Sequence, residues 1–350
     1  MNRNRNLIIR FRYKGMILLK GLFICENLQN IILQKGTLCG QVHSVFKNAC
    51  NIECEDLFIT LLSKGKKMSP MSVIVEGLEQ VDFNNLNITQ GLIFEFNESE
   101  IYCIEKKIFI AMNNAKKWSA PVKSNTSNFS EQQLLENIKI ASLGLKTLGK
   151  LHGMGPLINM LSSKLPELEL VPLHKCTFDK SFEFIVERFM NFVKAVIKAD
   201  VDDVGYMAQG VIGFGCGLTP AMDDFISGLM ITYIYMGSYY KLKLEQIYEF
   251  NSKIISSSLY KTTRVSTEML KHSSVGETNE AVQNLMAAIF NFNDDKDDEN
   301  HRNIIKSLIE VIGYGETSGT DTALGIYVGL RILINEKYRR VWLNESACRY

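Results

Sequence analysis

Residues 213–236 read GFGCGLTPAMDDFISGLMITYIYM, a glycine-rich run followed by the longest apolar stretch of the chain. The apolar part is about 12 residues long and contains Ser227, Gly228 and Thr232, so it is well short of the ~20 residues that cross a bilayer. We therefore expect a tight loop followed by a buried helix, and the rest of the chain has to supply the elements that bury it.

The hydrophobic period changes at a polar segment, residues 119–128. Before it, short apolar or aromatic runs are separated by Gly, Asn and Asp, a pattern typical of about seven strands. After it, apolar residues recur at three- and four-residue steps, which is typical of helices. We predict an α+β fold, with a β-rich domain over residues 1–125 and a predominantly α-helical domain over residues 126–350. The strands are predicted at 7–11, 16–24, 40–46, 57–62, 71–75, 91–96 and 101–110, and the helices at 131–150, 180–199, 221–239, 244–259, 262–273, 279–290, 301–312 and 320–335.

Composition narrows the class of protein. The chain has 350 residues, 46% of them hydrophobic, and its 39 Lys and Arg nearly balance its 38 Asp and Glu. A net charge of +1 lacks the basic excess of nucleic-acid-binding proteins. The 8 cysteines form no Cys-x-x-Cys pair, and the 5 histidines have no zinc-ligand spacing. Basic residues interrupt any apolar leader near the N-terminus. We expect a cytoplasmic protein with no membrane or nucleic-acid partner.

The glycine-rich run favours an anion site. Gly213, Gly215 and Gly217 allow positive φ and let a ligand approach the backbone without obstruction by Cβ atoms. Thr219 is predicted to cap a helix whose first residue is Pro220, so that unpaired N–H groups and the positive end of the helix dipole face the same place. Such a loop suits a phosphate or carboxylate. The alternative is a tight turn whose acids only cap the helix.

Two acids follow this loop. Asp223 and Asp224 are adjacent on the predicted helix and point about 100° apart, so we expect one to bind the backbone and the other to face a ligand. A carboxylate beside an anion site needs an N–H group of the substrate or a Mg²⁺ ion to reconcile the charges. Magnesium is therefore a possible cofactor, and the residues require no other.

A second loop repeats this composition. Residues 313–321 read GYGETSGTD and precede an apolar helix predicted over 322–334. The N–H groups of Thr317, Ser318 and Gly319 are expected to hold a second anion, with Asp321 as its acid. We predict that the two loops face each other, so that Asp224 and Asp321 line one cleft.

A third segment lies between the loops. Residues 261–266 read KTTRVS, in which Thr263 and Ser266 share a helical face and so do Lys261 and Arg264. An ordinary amphipathic helix is the alternative reading of this segment.

These motifs, in this order, resemble a bacterial family that includes the AllH subunit of oxamate carbamoyltransferase. The resemblance spans residues 38–330 and includes GQVHSVF at 40–46 and AKKW at 115–118. The chain departs from the family pattern at Cys216, Ala221 and Met222, where the family commonly has Pro, Ser and Gly.

The resemblance implies phosphorolysis of oxalurate to oxamate and carbamoyl phosphate in ureide (allantoin) breakdown, carried out with separate carbamoyltransferase subunits on small anionic substrates. Two alternatives stay open. The second loop also bears a weaker resemblance to Mg²⁺-dependent ADP-ribosyl-type hydrolases, and the chain could be a non-catalytic subunit that completes a partner's site. We expect catalytic roles for Asp223, Asp224, Asp321 and Arg264, and substrate binding by Gly215, Gly217, Thr219, Thr263, Ser266, Thr317, Ser318, Gly319 and His43.

Overall fold

The computed structural model describes residues 16–77, 80–121, 130–159, 180–256, 260–290 and 297–342. The predicted strand at 7–11 and the predicted domain boundary at 125/126 lie outside these ranges. The chain divides into two compact units, Met1–Ala120 and Pro121–Tyr350. The first is built mainly of strands and the second of helices, so the predicted α+β class is confirmed.

The first unit contains one mixed sheet. Nine strands lie within the described residues: β1 Ile17–Cys25, β2 Thr37–Phe46, β3 Ala49–Cys54, β4 Leu57–Ser63, β5 Ser72–Glu76, β6 Ile93–Asn97, β7 Glu100–Cys103, β8 Ile108–Ala111 and β9 Lys116–Trp118. Their order in the sheet is β5-β4-β3-β2-β6-β7-β8-β1-β9, and β1 also pairs with β5, which closes the sheet into a barrel.

Four features of this unit depart from the sequence prediction. Strands β3 (ACNIEC) and β9 (KKW) and helix α1 (Glu26–Lys35) were not predicted. The single strand predicted over 101–110 is two strands, because the chain turns where the Lys107 amide bonds the Ile104 carbonyl at 3.0 Å. A tight turn joins β6 to β7, and there the Asn97 side chain accepts a 3.0 Å hydrogen bond from the Ser99 amide.

The second unit is helical. Its α-helices within the described residues are α2 Glu131–Leu148, α3 Lys180–Lys198, α4 Val201–Ala208, α5 Ala221–Tyr239, α6 Leu244–Ser256, α7 Arg264–Ser274, α8 Glu280–Ile289, α9 Asp297–Ile312, α10 Ser318–Ile334 and α11 Glu336–Arg339. Every predicted helix has a counterpart, whereas α4 and α11 were not predicted.

Helices α5 and α10 form the centre of the second unit. Nearly every residue of α5 is buried, as expected for a helix that is apolar all round. Glycines allow the two backbones to touch: a Cβ on Gly325 would collide with the Phe225 carbonyl, and one on Gly329 would lie 2.9 Å from the Thr232 Cβ. These contacts advance in the same direction along both helices, so the helices run parallel. Their N-termini therefore lie at the same end.

None of the helices in the described ranges combines the length and apolar character that crossing a membrane requires.

Candidate functional site

The first glycine loop, residues 213–219, precedes α5 and uses its glycines for different reasons. Gly213, Gly215 and Gly217 have φ of 82°, 119° and 105°, values that side chains rarely adopt. A Cβ on Gly213 would also collide with the Lys261 carbonyl, and one on Gly215 with the Ala221 amide. At Gly217 a Cβ would meet nothing within 4 Å. Gly217 therefore has open space beside its backbone, which leaves room for a ligand.

Asp223 fixes the first glycine loop. It is completely buried, and its Oδ1 accepts the Gly213 amide at 2.8 Å. Its Oδ2 accepts the Ser266 hydroxyl at 2.6 Å and also the Thr262 hydroxyl. Burial raises the pKa of Asp223, and these three donors oppose the rise. Both carboxylate oxygens are thus used within the protein, and Asp223 is the acid that binds the backbone.

The start of α7 supports the same loop. Thr263 caps this helix by accepting the Ser266 amide at 3.1 Å, and its hydroxyl donates to the Leu218 carbonyl. Arg264 forms an ion pair of 2.5 Å with Glu268 within the helix. The hydroxyls of Thr263 and Ser266 are therefore bound to the protein itself. Their contacts position the loop, and their roles toward a substrate stay predictions.

Thr219 joins the two loops instead of capping a helix. The prediction that Thr219 caps α5 is wrong, because Pro220 occupies the cap position and no side chain bonds the helix N-terminus there. The Thr219 Oγ1 instead lies 3.0 Å from the Ser318 Oγ, across 99 positions of sequence. Parallel packing of α5 and α10 makes this contact possible, so the two loops lie side by side.

The second glycine loop, residues 313–317, is shorter than predicted. Helix α10 begins at Ser318, so Asp321 lies in its first turn and not before the helix. The Gly319 amide donates to the Tyr314 carbonyl at 2.9 Å, and a Cβ on Gly319 would collide with the Val311 carbonyl. The prediction that the Gly319 amide binds an anion is therefore wrong, because this N–H group is already bonded within the protein. The glycine is needed for close packing.

Asp224 carries an unpartnered oxygen. Its side chain is 3% exposed, and its Oδ2 has no hydrogen-bond partner. Burial raises the pKa of Asp224 well above its ordinary value; hydrogen bonds from Ser318 and Thr219 oppose the rise, and the charge of Asp321 adds to it. Two buried carboxylates that influence each other in this way cannot both carry full charge without a compensating group.

Asp321 carries the second unpartnered oxygen. Its Oδ1 accepts the Met154 amide at 2.7 Å, and its Oδ2 is buried without a partner. Burial raises the pKa of Asp321 to about 7, against opposing contributions from the Met154 amide, the Thr317 hydroxyl and the charge of Lys150. A Cβ on Gly153, which has φ of 63°, would lie 2.6 Å from the unpartnered oxygen. Only glycine fits at this position.

Residues 149–155, after α2, are part of the site that the sequence analysis missed. The Lys150 ammonium donates to the Gly315 carbonyl at 2.9 Å, and the Lys150 amide donates to the Thr320 hydroxyl at 3.1 Å. The segment reads GKLHGMG. Glycines around a basic residue directly after a helix were the available signal, but nothing local linked them to a loop more than 150 residues away.

Tyr314 is a further residue beside Asp224. Its side chain is 52% exposed, its partly covered phenol has a raised pKa, and the charge of Asp224 raises that pKa further. Tyr314 lies within the second glycine loop and was not singled out from sequence.

Free backbone donors lie at this end of α5 and α10. Helix N-termini carry a partial positive charge. The Met222 amide of α5 donates to the Phe214 carbonyl and the Gly319 amide of α10 to the Tyr314 carbonyl, so the free donors, apart from the Ser318 amide, belong to the loops. Residues 215–218 and 313–316 are exposed, so ligands can reach them. Within the described residues no hydrogen-bond acceptor is found for the N–H groups of Gly215, Gly217, Thr219, Thr317 and Ser318.

His43 lies in the first unit, in β2 at an irregularity of its pairing with β3. Its Nδ1 is 3.1 Å from the Ser44 Oγ, and its ring packs edge-on against Phe58. Its substrate-binding role stays a prediction. As for metals, the described residues contain no group of three or more His, Cys, Asp or Glu side chains that could hold an ion.

The fold and the site together define an α+β protein whose helical unit presents free backbone N–H groups beside a buried carboxylate pair. Two family models match the chain. Residues 211–330 match the oxamate carbamoyltransferase subunit AllH, and residues 20–117 match the AllH family N-terminal domain. Together they cover more than half of the sequence, and the chain belongs to the AllH family. Comparison with curated proteins and with solved structures gives no match.

The family matches cover most of the site and leave out one of its segments. The match over residues 211–330 contains both glycine loops, Asp224 and Asp321, whereas residues 149–155 fall outside both matches. The name of the family indicates a subunit of an oxamate carbamoyltransferase.

Proposed function

We propose that this chain is the carbamoyltransferase subunit that positions oxalurate or oxamate together with phosphate or carbamoyl phosphate in ureide catabolism. The observation that carries the proposal is the pair of parallel helix N-termini, with free N–H groups on two adjacent exposed loops. Family membership supports the reaction class. The proposal also assigns the chain to a complex with other carbamoyltransferase subunits.

The reaction needs such an arrangement. In phosphorolysis a phosphate oxygen forms a bond to the carbamoyl carbon, the bond from that carbon to the oxamate nitrogen breaks, and the nitrogen takes a proton. The oxalurate carboxylate and the phosphate are both anions that repel each other. Holding them around one carbon removes most of the entropic cost, and N–H donors stabilise the oxyanion that develops on the carbamoyl oxygen.

We assign one anion to the N–H groups of Gly215, Gly217 and Thr219 and the other to those of Thr317 and Ser318. Helix N-termini bind phosphate and carboxylate through unpaired N–H groups and the dipole. Lys150 adds a full positive charge beside the second glycine loop.

The binding test uses calorimetry with inorganic phosphate. Gly217→Val places a branched side chain in the open space and at a φ of 105°, so phosphate affinity should fall by at least ~1 kcal/mol, the typical net value of one hydrogen bond. Gly65→Val is the matched control, because Gly65 has φ of 88° and equally open space but lies in the first unit. Equal phosphate affinities for the two variants would contradict the assignment.

The activity test measures oxamate-dependent phosphate release from carbamoyl phosphate, by the chain alone and with its partner subunits. Asp224→Asn and Asp321→Asn should each remove most of the activity of the complex. A complex whose turnover does not change in either variant would refute the proposed site. Turnover only in the presence of partner subunits would assign this chain the role of completing a shared site.

A further inference from the structure

We infer that the unpartnered Oδ2 atoms of Asp224 and Asp321 accept the N–H groups of a primary amide, which makes this pair the specificity determinant for an amide lying beside a carboxylate. The inference rests on the proposed function, since it concerns the same site. It assigns the carboxylate pair to the neutral end of the substrate and the glycine loops to its charged end.

Both carboxylates are buried with one oxygen unpaired. Asp224 is 3% exposed and Asp321 is 0% exposed, and one oxygen of each lacks a hydrogen-bond partner. A buried acceptor without a donor destabilises the folded protein. Catalytic and binding sites are among the places where such atoms are kept, because a ligand supplies the missing donor there.

The neighbouring groups leave few partners for these oxygens. On α5, Asp223 is fully bonded by Gly213, Ser266 and Thr262. The Lys150 ammonium donates to the Gly315 carbonyl, although its charge reaches Asp321. The described residues therefore supply no donor for these two oxygens, and we assign that role to a ligand.

The remaining neighbours do not replace such a donor. The hydroxyls of Thr219 and Ser318 bond Asp224 and contact each other, and the Thr317 hydroxyl bonds Asp321. These contacts still leave one oxygen of each acid without a partner. The charge of Asp224 also raises the pKa of the Tyr314 phenol, whose main cause is burial, but the Oδ2 of Asp224 has no partner.

The pattern of donors and acceptors identifies the ligand. Free N–H groups on the glycine loops bind a carboxylate, and the unpartnered oxygens in the first turns of α5 and α10 bind N–H groups. A molecule that carries a carboxylate next to a primary amide matches both. A dicarboxylate does not, because it has no N–H group to donate to these two oxygens, and its second anionic group would be repelled by the negative charge that the pair carries.

The test compares two ligands of nearly equal shape. Oxamate and oxalate differ only by an amide in place of one carboxylate. We would titrate each by calorimetry into the whole chain, in EDTA so that no divalent cation bridges ligand and protein. The chain should bind oxamate at least about tenfold more tightly than oxalate, because a site whose buried acceptors lose their donors discriminates strongly.

Variants then locate the discrimination. In Asp224→Asn and in Asp321→Asn the preference for oxamate should fall at least about tenfold, since an asparagine amide can donate to the second carboxylate of oxalate. Asp203→Asn, at an exposed acid in the first turn of α4, is the matched control and should keep the full preference.

The outcomes separate the two proposals. Equal affinity of the unmodified chain for oxamate and oxalate would overturn the inference and leave the anion loops in place. An oxamate preference that appears only with added Mg²⁺ would also overturn it, because a cation would then neutralise the pair. Failure of the chain to bind either ligand or phosphate would count against the proposed function itself. The comparison on the unmodified chain does not depend on whether the variants fold.

Discussion

Close packing of α5 against α10 is the feature that brings the two loops together, and Gly325→Ala tests it. A Cβ on Gly325 would collide with the Phe225 carbonyl and would lie 2.8 Å from the Phe225 carbonyl carbon and 3.0 Å from the Leu229 amide. All of these atoms belong to the backbone of α5. No rotamer change can relieve the collision, so the two helices must separate.

The magnitude follows from two opposing effects. Overpacking a well-packed core costs about 1–3 kcal/mol, and a backbone collision belongs at the upper end of that range. Alanine gains back ~1 kcal/mol relative to glycine through helix propensity. We expect a net loss of about 2 kcal/mol. In a unit of this size, 1 kcal/mol shifts the melting temperature by roughly 2–4 °C, so the melting temperature should fall by about 4–8 °C.

The assay is thermal unfolding followed by circular dichroism, with Gly144→Ala as the control. A Cβ on Gly144 in α2 meets only the Leu308 Cδ2 and Ile305 Cδ1 atoms, the ends of flexible side chains. This variant should keep or raise the melting temperature. Helix separation should also weaken phosphate binding in Gly325→Ala, since the loops sit at the helix ends. Equal melting temperatures for the two variants would refute the packing argument.

Three further predictions concern the acids and their supports. The folded-state pKa of Asp321 is raised to about 7 from 3.8, so its contribution to stability is fully present below pH 3.8 and is lost as pH rises through 7. The free energy of unfolding, measured with urea, should fall by up to ~1.4 kcal/mol per pH unit as pH rises through this window, and Asp321→Asn should reduce that slope. An equal slope in the variant would contradict the assignment. Ser266→Ala removes the 2.6 Å hydrogen bond to Asp223 and should lower the free energy of unfolding by about 1–3 kcal/mol. The control Ser256→Ala, at an exposed hydroxyl, should leave it unchanged. Equal losses in the two variants would show that the bond does not stabilise the loop. Gly153→Ala should displace the Asp321 carboxylate and reduce the oxamate preference measured by calorimetry, and a preference equal to that of the unmodified chain would show that Gly153 does not position the acid.

The overall class of the fold followed from sequence because each unit has its own hydrophobic period. Helix α5 is apolar on every face, and a helix of that kind has to be central. Strand β3 was missed because ACNIEC has a single β-branched residue, Ile52, and no aromatic residue, so it lacks the composition that identifies strands. It is held by pairing with β2 on one side and β4 on the other, which is not a local property.

Parts of the site were predictable for a similar reason. Glycines that need positive φ and acids at the start of a helix are local features, so both loops and Asp224 and Asp321 were found. The cap assigned to Thr219 was wrong because its hydroxyl found a partner on another helix. A short-range rule cannot anticipate a competitor that arrives from 99 positions away.

By itself, the sequence determined the strand-type and helix-type patterns of apolar residues in the two units, the order of the glycine loops and the presence of three acids at helix starts. Only the tertiary structure decided what each acid does. Asp223 is bonded by donors from residues 213, 262 and 266, whereas Asp224 and Asp321 each keep one oxygen without a partner. The physical reason is that the state of a buried carboxylate depends on which donors the packing brings within hydrogen-bond distance. Those donors come from distant parts of the chain once α5 and α10 run parallel and touch.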